Sequence, residues 1–336
     1  MLLQDVYDDG KLNAVRNPDG IWINTSVFRE AGDYFMKYGV YTHEPWGSPA
    51  WYDFWKEERR RCTEGYSVGG VMIPGEFYNY MNYCPIQKSE KGAFNTDTKI
   101  KGFPDFWDGD YNYFWVREIA RNGVLKNNQN LSQEEKERIY NLEPKAREIE
   151  LIKILDGLHL MFKVVPSIEK DGVRVENLLG GRDVIVLKSR RKGFSFKNAS
   201  VGSNNFFLIP TSYTMQMAYD KKFLYPKGIF SMSMSYINFI NDKTAWKAPS
   251  DYVRKQDHIR NSYKSYQNGV EIELGFMSEI QAITFKDNPQ AGVGKDCYDI
   301  IGEEVGAWGT PGGLKETVAS MMPSVTDGDY RTGMMT

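Results

Sequence analysis

Histidine and cysteine are scarce in this chain: three of each in 336 residues, scattered as His43, His159, His258 and Cys62, Cys84, Cys297, with no CxxC pair. That spacing excludes a zinc framework and a dense disulfide scaffold, and it suits a reducing compartment. Long apolar runs are missing as well, so no segment reads as a membrane span, and the acid-rich start MLLQDVYDDG does not read as a signal peptide. An excess of one charge is also missing. Lys+Arg 42 against Asp+Glu 44 leaves a net charge of -2, which excludes a global basic field and confines any DNA contact to local patches. There is no internal repeat and no low-complexity linker. What remains is an ordinary globular composition, 41% hydrophobic and 26% charged, with length enough for one large domain or two smaller ones. A cytosolic protein is the expectation.

Two textures follow one another and change near residue 180. The first is aromatic-rich and punctuated by Gly and Pro, as in WGSPAWYDFWKEERRRC, IPGEFYNYMNYCPIQ and FPDFWDGDYNYFWVREIARNG, and it predicts short helices and loops. In the last of these Tyr113, Val116 and Ala120 keep helical spacing, with Asp110 placed to cap the start and Gly123 the end. Ser132 and Glu135 carry a capping-box signal, and Leu151, Leu155, Leu158 and Phe162 line one face of a helix after Pro144. Beyond residue 180 the pattern alternates. DVIVLK reads as a strand, SFKNASVGSNNFFLI as a helix and YTMQMAY as a strand; VEIELGF and EIQAITF read as a hairpin or as neighbouring strands, and CYDIIGEEVGAW as a buried strand ending in carboxylates. Such alternation predicts an α/β sheet with its ligand loops at the strand ends.

The stretch VIVLKSRRKGFSFKNAS, residues 184–200, falls at one of these strand-to-helix turns. A phosphate loop of the form GxxxxGK[ST] fits it at Gly193 and Ser195, but Phe194 stands where the lysine belongs. Backbone N–H groups at a helix start make an anion site, and Gly193 removes the Cβ that would hold a phosphate off. Ser195 would offer its hydroxyl to Mg2+. The cation for the β- and γ-phosphates has four candidates, Lys188, Arg190, Arg191 and Lys192, and Lys188 is best placed because it sits where the loop folds back. The competing reading is a solvated basic turn. A second constellation tips the balance: Glu303 and Glu304 close the apolar strand of DCYDIIGEEVGAW. Phosphoryl transfer uses one carboxylate to hold Mg2+ and a neighbour to orient the attacking water, and adjacent strand residues point to opposite faces. Glu303 is therefore assigned to the metal and Glu304 to the water.

These residues resemble the large terminase subunit, the ATP-driven DNA-packaging motor of tailed bacteriophages. Several members carry a lysine at the first loop position and an aromatic before the serine, as KSRRKGFS does here. TSYTMQMAYDKKFLYPKGIF, ITFKDNPQAGVGKDCYDIIGEEVG, IPGEFYNYMNYCPI and FPDFWDGDYNYF extend the resemblance over residues 70–336, toward the terminases of crAss-like phages. It implies a P-loop NTPase core of the additional-strand type, a mainly parallel sheet flanked by helices, at residues 181–336. Residues 1–180 become a mainly helical, aromatic-rich region contributing to an adenine pocket or lid. ATP and Mg2+ are the implied cofactors. Lys188 matches the phosphate lysine and Arg190 the loop arginine, with Ser189, Arg191, Lys192, Gly193, Phe194 and Ser195 completing the loop; Glu303 and Glu304 match the acid pair. The implied partners are double-stranded DNA, the procapsid portal protein, the small terminase subunit and further copies in a ring, a pentamer when assembled, at the portal in the host cytoplasm. Where many terminases carry Arg-Gly before the acid strand, this chain has Val293-Gly294, with Lys295 as a substitute finger. PSVTDGDYRTGMMT resembles the approach to the coupling strand, and the nuclease domain that follows it in the family is not expected here. Two alternatives remain: a helicase-like or other P-loop ATPase, and a non-enzymatic phage DNA-binding or structural protein.

Other residues read as structural. Arg59-Arg60-Arg61 after Glu57-Glu58 predicts a solvated charged helix face. Tyr111, Phe114 and Trp115 predict core packing ahead of adenine stacking. Gln87 is a weak adenine reader, Cys84 a small buried residue, and Asp105/Asp108 and Asp327/Asp329 turn residues. Lys221-Lys222 and DYVRKQDHIRNSYKSY, with Arg254, Lys255, Arg260 and Lys264, offer either a phosphate track or an exposed helix face.

Overall fold

The computed structural model describes residues 14–17, 19–91, 96–160, 164–186, 193–249, 253–254, 257–286, 296–308, 315, 319 and 333–335. The chain is mixed α/β and divides into two compact units, Met1–Gly181 and Arg182–Thr336. No helix among the described residues is long and apolar enough to cross a membrane.

The first unit contains β1 (Ala14–Arg16), β2 (Trp22–Asn24), α1 (Glu30–Tyr38), α2 (Pro49–Glu64), β3 (Tyr66–Val68), β4 (Val71–Ile73), α3 (Gly75–Tyr83), β5 (Ile86–Lys91), β6 (Thr96–Gly102), α4 (Asp108–Asn122), α5 (Gln133–Tyr140), α6 (Pro144–Gly157), β7 (Ser167–Lys170) and β8 (Val173–Glu176). The helices are accompanied by four antiparallel pairs, β1–β2, β3–β4, β5–β6 and β7–β8, where helices and loops alone were expected. Turn glycines with positive φ close three of these pairs, at Gly20, Gly69-Gly70 and Gly172, and their strands of three or four residues are too brief to show a period of two.

Aromatic side chains fill the core of this unit. Phe77 stacks on Phe114 with centroids 5.2 Å apart, and Tyr111, Phe114 and Trp115 are all buried, so packing is the role they have here. Every residue of α3 is buried, polar ones included, and each polar group has to be matched inside. Glu76 accepts from Arg117 at 2.6 Å and from Arg121 at 2.9 Å; Asn82 donates to the Phe28 and Tyr78 carbonyls. Within the α2 charge run, Glu57 keeps 43% of its side chain exposed, but Glu58 departs from the solvated face expected. Glu58 is buried and accepts from the hydroxyls of Tyr78 (2.8 Å) and Tyr83 (2.6 Å) and from Arg61, and burial raises its pKa.

Helix boundaries follow cap chemistry. Ser132 and Glu135 form the reciprocal capping box of α5, and Gly123 closes α4 through its N–H to the Ile119 carbonyl. Asp110 is not the cap of α4: Trp107 holds that position, and Asp110 lies buried in the first turn. Helix α6 stops at Gly157 with Leu158 as its cap, and Phe162 lies outside the described residues. Asp105 pairs with Arg29, consistent with a structural role; Asp327 and Asp329 are outside the described residues.

The second unit contains β9 (Val184–Ile185), α7 (Phe194–Leu208), β10 (Tyr213–Ala218), α8 (Ile229–Lys243), β11 (Val253–Arg254), β12 (His258–Gln267), β13 (Val270–Thr284), β14 (Asp299–Glu303) and β15 (Gly333–Met335). Among the described residues these strands form one sheet in the order β11-β12-β13-β10-β14-β15-β9. The pairs from β13 to β9 are parallel, and β11–β12 and β12–β13 are antiparallel.

In the described parts of DYVRKQDHIRNSYKSY, Val253–Arg254 and the residues from His258 on are strand, not helix. Its His258–Gln267 part turns at Asn268-Gly269, both with positive φ, into β13, which absorbs VEIELGF and EIQAITF as one strand. Two of its cations are ion-paired: Arg260 lies 3.1 Å from Glu273, and Lys264 lies 2.5 Å from Glu271. The side chain of Arg254 and all of Lys255 lie outside the described residues.

Strand β10 is buried on both faces. Tyr213, Met215 and Met217 enter an apolar cluster with Ile283, Phe285, Cys297, Ile300 and Trp308. Its other face is polar: Thr214 accepts from Asn205 of α7 at 3.0 Å, and Gln216 donates to Ser233 of α8 at 2.8 Å. This explains why α7 is so polar yet buried from Lys197 to Leu208: it lies on hydrogen-bonding strand residues rather than on an apolar sheet face. At Gly202 the approach is closest, since a Cβ there would sit 2.8 Å from the Gln216 amide nitrogen.

Candidate functional site

The site lies where α7 begins and β14 ends. Alternation along β14 puts Asp299, Ile301 and Glu303 on one face and Ile300 on the other, the face of the apolar cluster. Asp299 faces Asn205 of α7, so Glu303, four residues on, comes under the first turn of that helix. Ser195 and Glu303 are 108 residues apart in sequence, and there the Ser195 hydroxyl donates to Glu303 Oε1. Asn198, one turn further along α7, donates from Nδ2 to Glu303 Oε2 at 3.2 Å. Glu303 is 3% exposed, so its carboxylate is solvated by these donors more than by water.

Gly193 precedes the helix at φ 69, ψ 18, in the left-handed region that glycine enters without cost. Among the described residues a Cβ built there would meet no heavy atom within 4 Å, and no side chain caps the first-turn N–H groups. Phe194 is half-buried and carries the Lys197 ammonium over its ring at 4.2 Å. Lys197 itself is 1% exposed.

Glu304 departs from the strand geometry expected for it. At φ 52, ψ 44 it leaves β14 in a left-handed turn that leads into the short helix Val305–Ala307, so simple face alternation does not set its direction. The turn is pinned from beyond: the indole N–H of Trp308 donates to the Glu303 carbonyl at 3.1 Å, and its ring packs on Phe285 at 5.4 Å.

Lys188, Ser189, Arg190, Arg191 and Lys192 lie outside the described residues, as do Val293, Gly294 and Lys295. Lys221 and Lys222 are exposed just after β10, with Lys222 3.4 Å from Asp220. Gln87 sits on β5 of the first unit. Sequence reasoning missed Asn198 and Lys197. The signal for Asn198 was available, because three residues after Ser195 on a helix is the same face. No such rule points to a buried lysine.

Among the described residues no group of three or more His, Cys, Asp and Glu side chains could hold a metal ion. The donor set of Ser195 and Glu303 is two hard oxygens at a helix start. That fits a Mg2+ that arrives with phosphates, which takes one or two protein oxygens and keeps the rest of its octahedron from phosphate and water.

No protein-family model matches the chain, and no curated protein matches it. Among solved structures it is similar to the Thermus Phage P74-26 large terminase ATPase domain and to a point mutant of that domain, each in space group I 2 3. In both comparisons the TM-score is 0.36 and the identity 15%, over 46% of this chain and 59% of the terminase chain.

Proposed function

We propose that the chain is an ATP-hydrolysing motor domain of the phage large terminase kind, with a P-loop core of the additional-strand type in its second unit. The observation that carries the reading is the contact of Ser195 with Glu303 at the start of α7 and the end of β14. A hydroxyl and a carboxylate brought together between a glycine-led helix start and a strand end are what a nucleotide-bound Mg2+ requires. The strand order supports it too: β15 lies between β9, which leads into the loop, and β14, which carries the acid.

In this reading Lys188, the loop residues Ser189, Arg190, Arg191, Lys192, Gly193 and Phe194, and the amides of the first turn of α7 hold the phosphates. Ser195 and Glu303 hold Mg2+, which supplies charge neutralisation of the β- and γ-phosphate oxygens. Glu304 orients the attacking water and accepts its proton. Double-stranded DNA, a portal protein, a small terminase subunit and neighbouring copies in a ring are the proposed partners, in the host cytoplasm.

The test is ATP turnover with Lys188→Ala and Glu304→Gln, each in a protein whose folding is checked by circular dichroism. Each should lower kcat by roughly 100-fold or more. Unchanged turnover in both would leave the basic loop as a mere phosphate contact. Stimulation by duplex DNA, absent with single strands, would favour packaging over a helicase-like activity.

A further inference from the structure

The two oxygens of Glu303 are divided between two residues of one helix face. Ser195 takes Oε1, and Asn198, three residues on and fully buried, donates to Oε2 at 3.2 Å. We infer that Asn198 is a positioning residue for the metal carboxylate, an inference that rests on the ATPase reading above. It fixes the rotamer of Glu303 by its second oxygen, so that the first stays on the Ser195 side.

The need for such a clamp follows from the residue type. A glutamate is one methylene longer than the aspartate that usually serves at this position, and its extra torsion lets the carboxylate swing away from a metal. A buried amide donor stops that swing. It also does so without a charge: a lysine or arginine at residue 198 would hold Glu303 equally well but would neutralise the carboxylate and compete with the cation. Asparagine leaves the full negative charge to the metal while satisfying the oxygen that faces the interior.

The experiment is a Mg2+ titration of the binding of a fluorescent ATP analogue to the whole chain, as wild type, Asn198→Ala and Asn198→Asp, with a parallel measurement in EDTA and a melting curve for each. For Asn198→Ala the Mg2+ concentration at half-saturation should rise about tenfold, while the metal-free affinity for the analogue stays at the wild-type value. Asn198→Asp keeps the size and replaces the donor by a second carboxylate. At one fixed pH the lost donor leaves Glu303 Oε2 facing an acceptor instead, so the Mg2+ concentration at half-saturation should again rise about tenfold with the metal-free affinity unchanged. This second variant decides the matter if Asn198→Ala fails to fold. Wild-type half-saturation in both variants, or equal losses with and without metal, overturns the inference and leaves Asn198 as packing. A wild type that binds the analogue with no Mg2+ dependence overturns the ATPase reading, and this inference with it.

Discussion

At the scale of single residues, burial sets two carboxylates of the first unit against each other. Burial works against ionising Glu76, but the guanidiniums of Arg117 and Arg121 hold its pKa at about 2. Glu118 goes the other way: burial first, and then the neighbouring Glu76, push it up to about 7, against donors from Asn122 and Asn127. An unfolded glutamate titrates near ~4.3, so between roughly pH 4.3 and 7 the folded chain binds the extra proton and stability falls as pH rises through that window. The contribution of Glu76 has the opposite sign, present above roughly pH 4.3 and lost as pH falls toward 2. Glu118→Gln should therefore raise stability at pH 8, by roughly 3 kcal/mol at most, and change it little at pH 5. Urea midpoints of the first unit at the two pH values check this. Nothing in the sequence foretold it: Glu118 reads as one more polar residue on an amphipathic helix, and only the fold brings Glu76 beside it.

At the scale of elements, the distance between α7 and the sheet decides whether Ser195 reaches Glu303. Gly202 sets that distance over Gln216, whose amide is buried and bonded to Ser233 and so cannot simply swing aside. Gly202→Ala should cost about 1–3 kcal/mol of stability through overpacking, in spite of the better helix propensity of alanine. The same variant should weaken Mg2+-dependent nucleotide binding more than metal-free binding, which an isothermal titration with and without EDTA would report. Legibility differed sharply between elements. The strand at Val184–Ile185, the helix Phe194–Leu208 and the acid-ended strand Asp299–Glu303 were readable because their burial and cap chemistry are local. The β13 stretches were read as strands, whereas the β12 stretch was left as a phosphate track or a helix face, because its basic residues interleave with tyrosine. The Asn268-Gly269 turn and the alternation of VEIELGF after it were the better guide. Glu304 shows the limit of alternation itself, since a single left-handed residue cancels it.

At the scale of the whole molecule, the two textures of the sequence and the two compact units meet at nearly the same residue, because a chain that changes from aromatic-filled helices to β-branched strands changes the kind of core it can build. The order of strands in the second sheet was not readable from pattern alone: which strands become neighbours depends on crossovers, not on local preference. That order has a consequence for how the protein is made. Strand β9, which leads into the loop, is paired with β15, roughly 150 residues downstream, and β15 in turn joins it to β14. As the chain leaves the ribosome, α7 and the β10–β13 part of the sheet can collapse long before β9 has a neighbour. Pulse-labelling hydrogen exchange during refolding should accordingly find the amides of β10 protected before those of β9. The strand that precedes Gly193 and Ser195 would then be the last of the sheet to find its neighbour, and a chain lacking β15 would bring Ser195 and Glu303 together without that brace between β9 and β14.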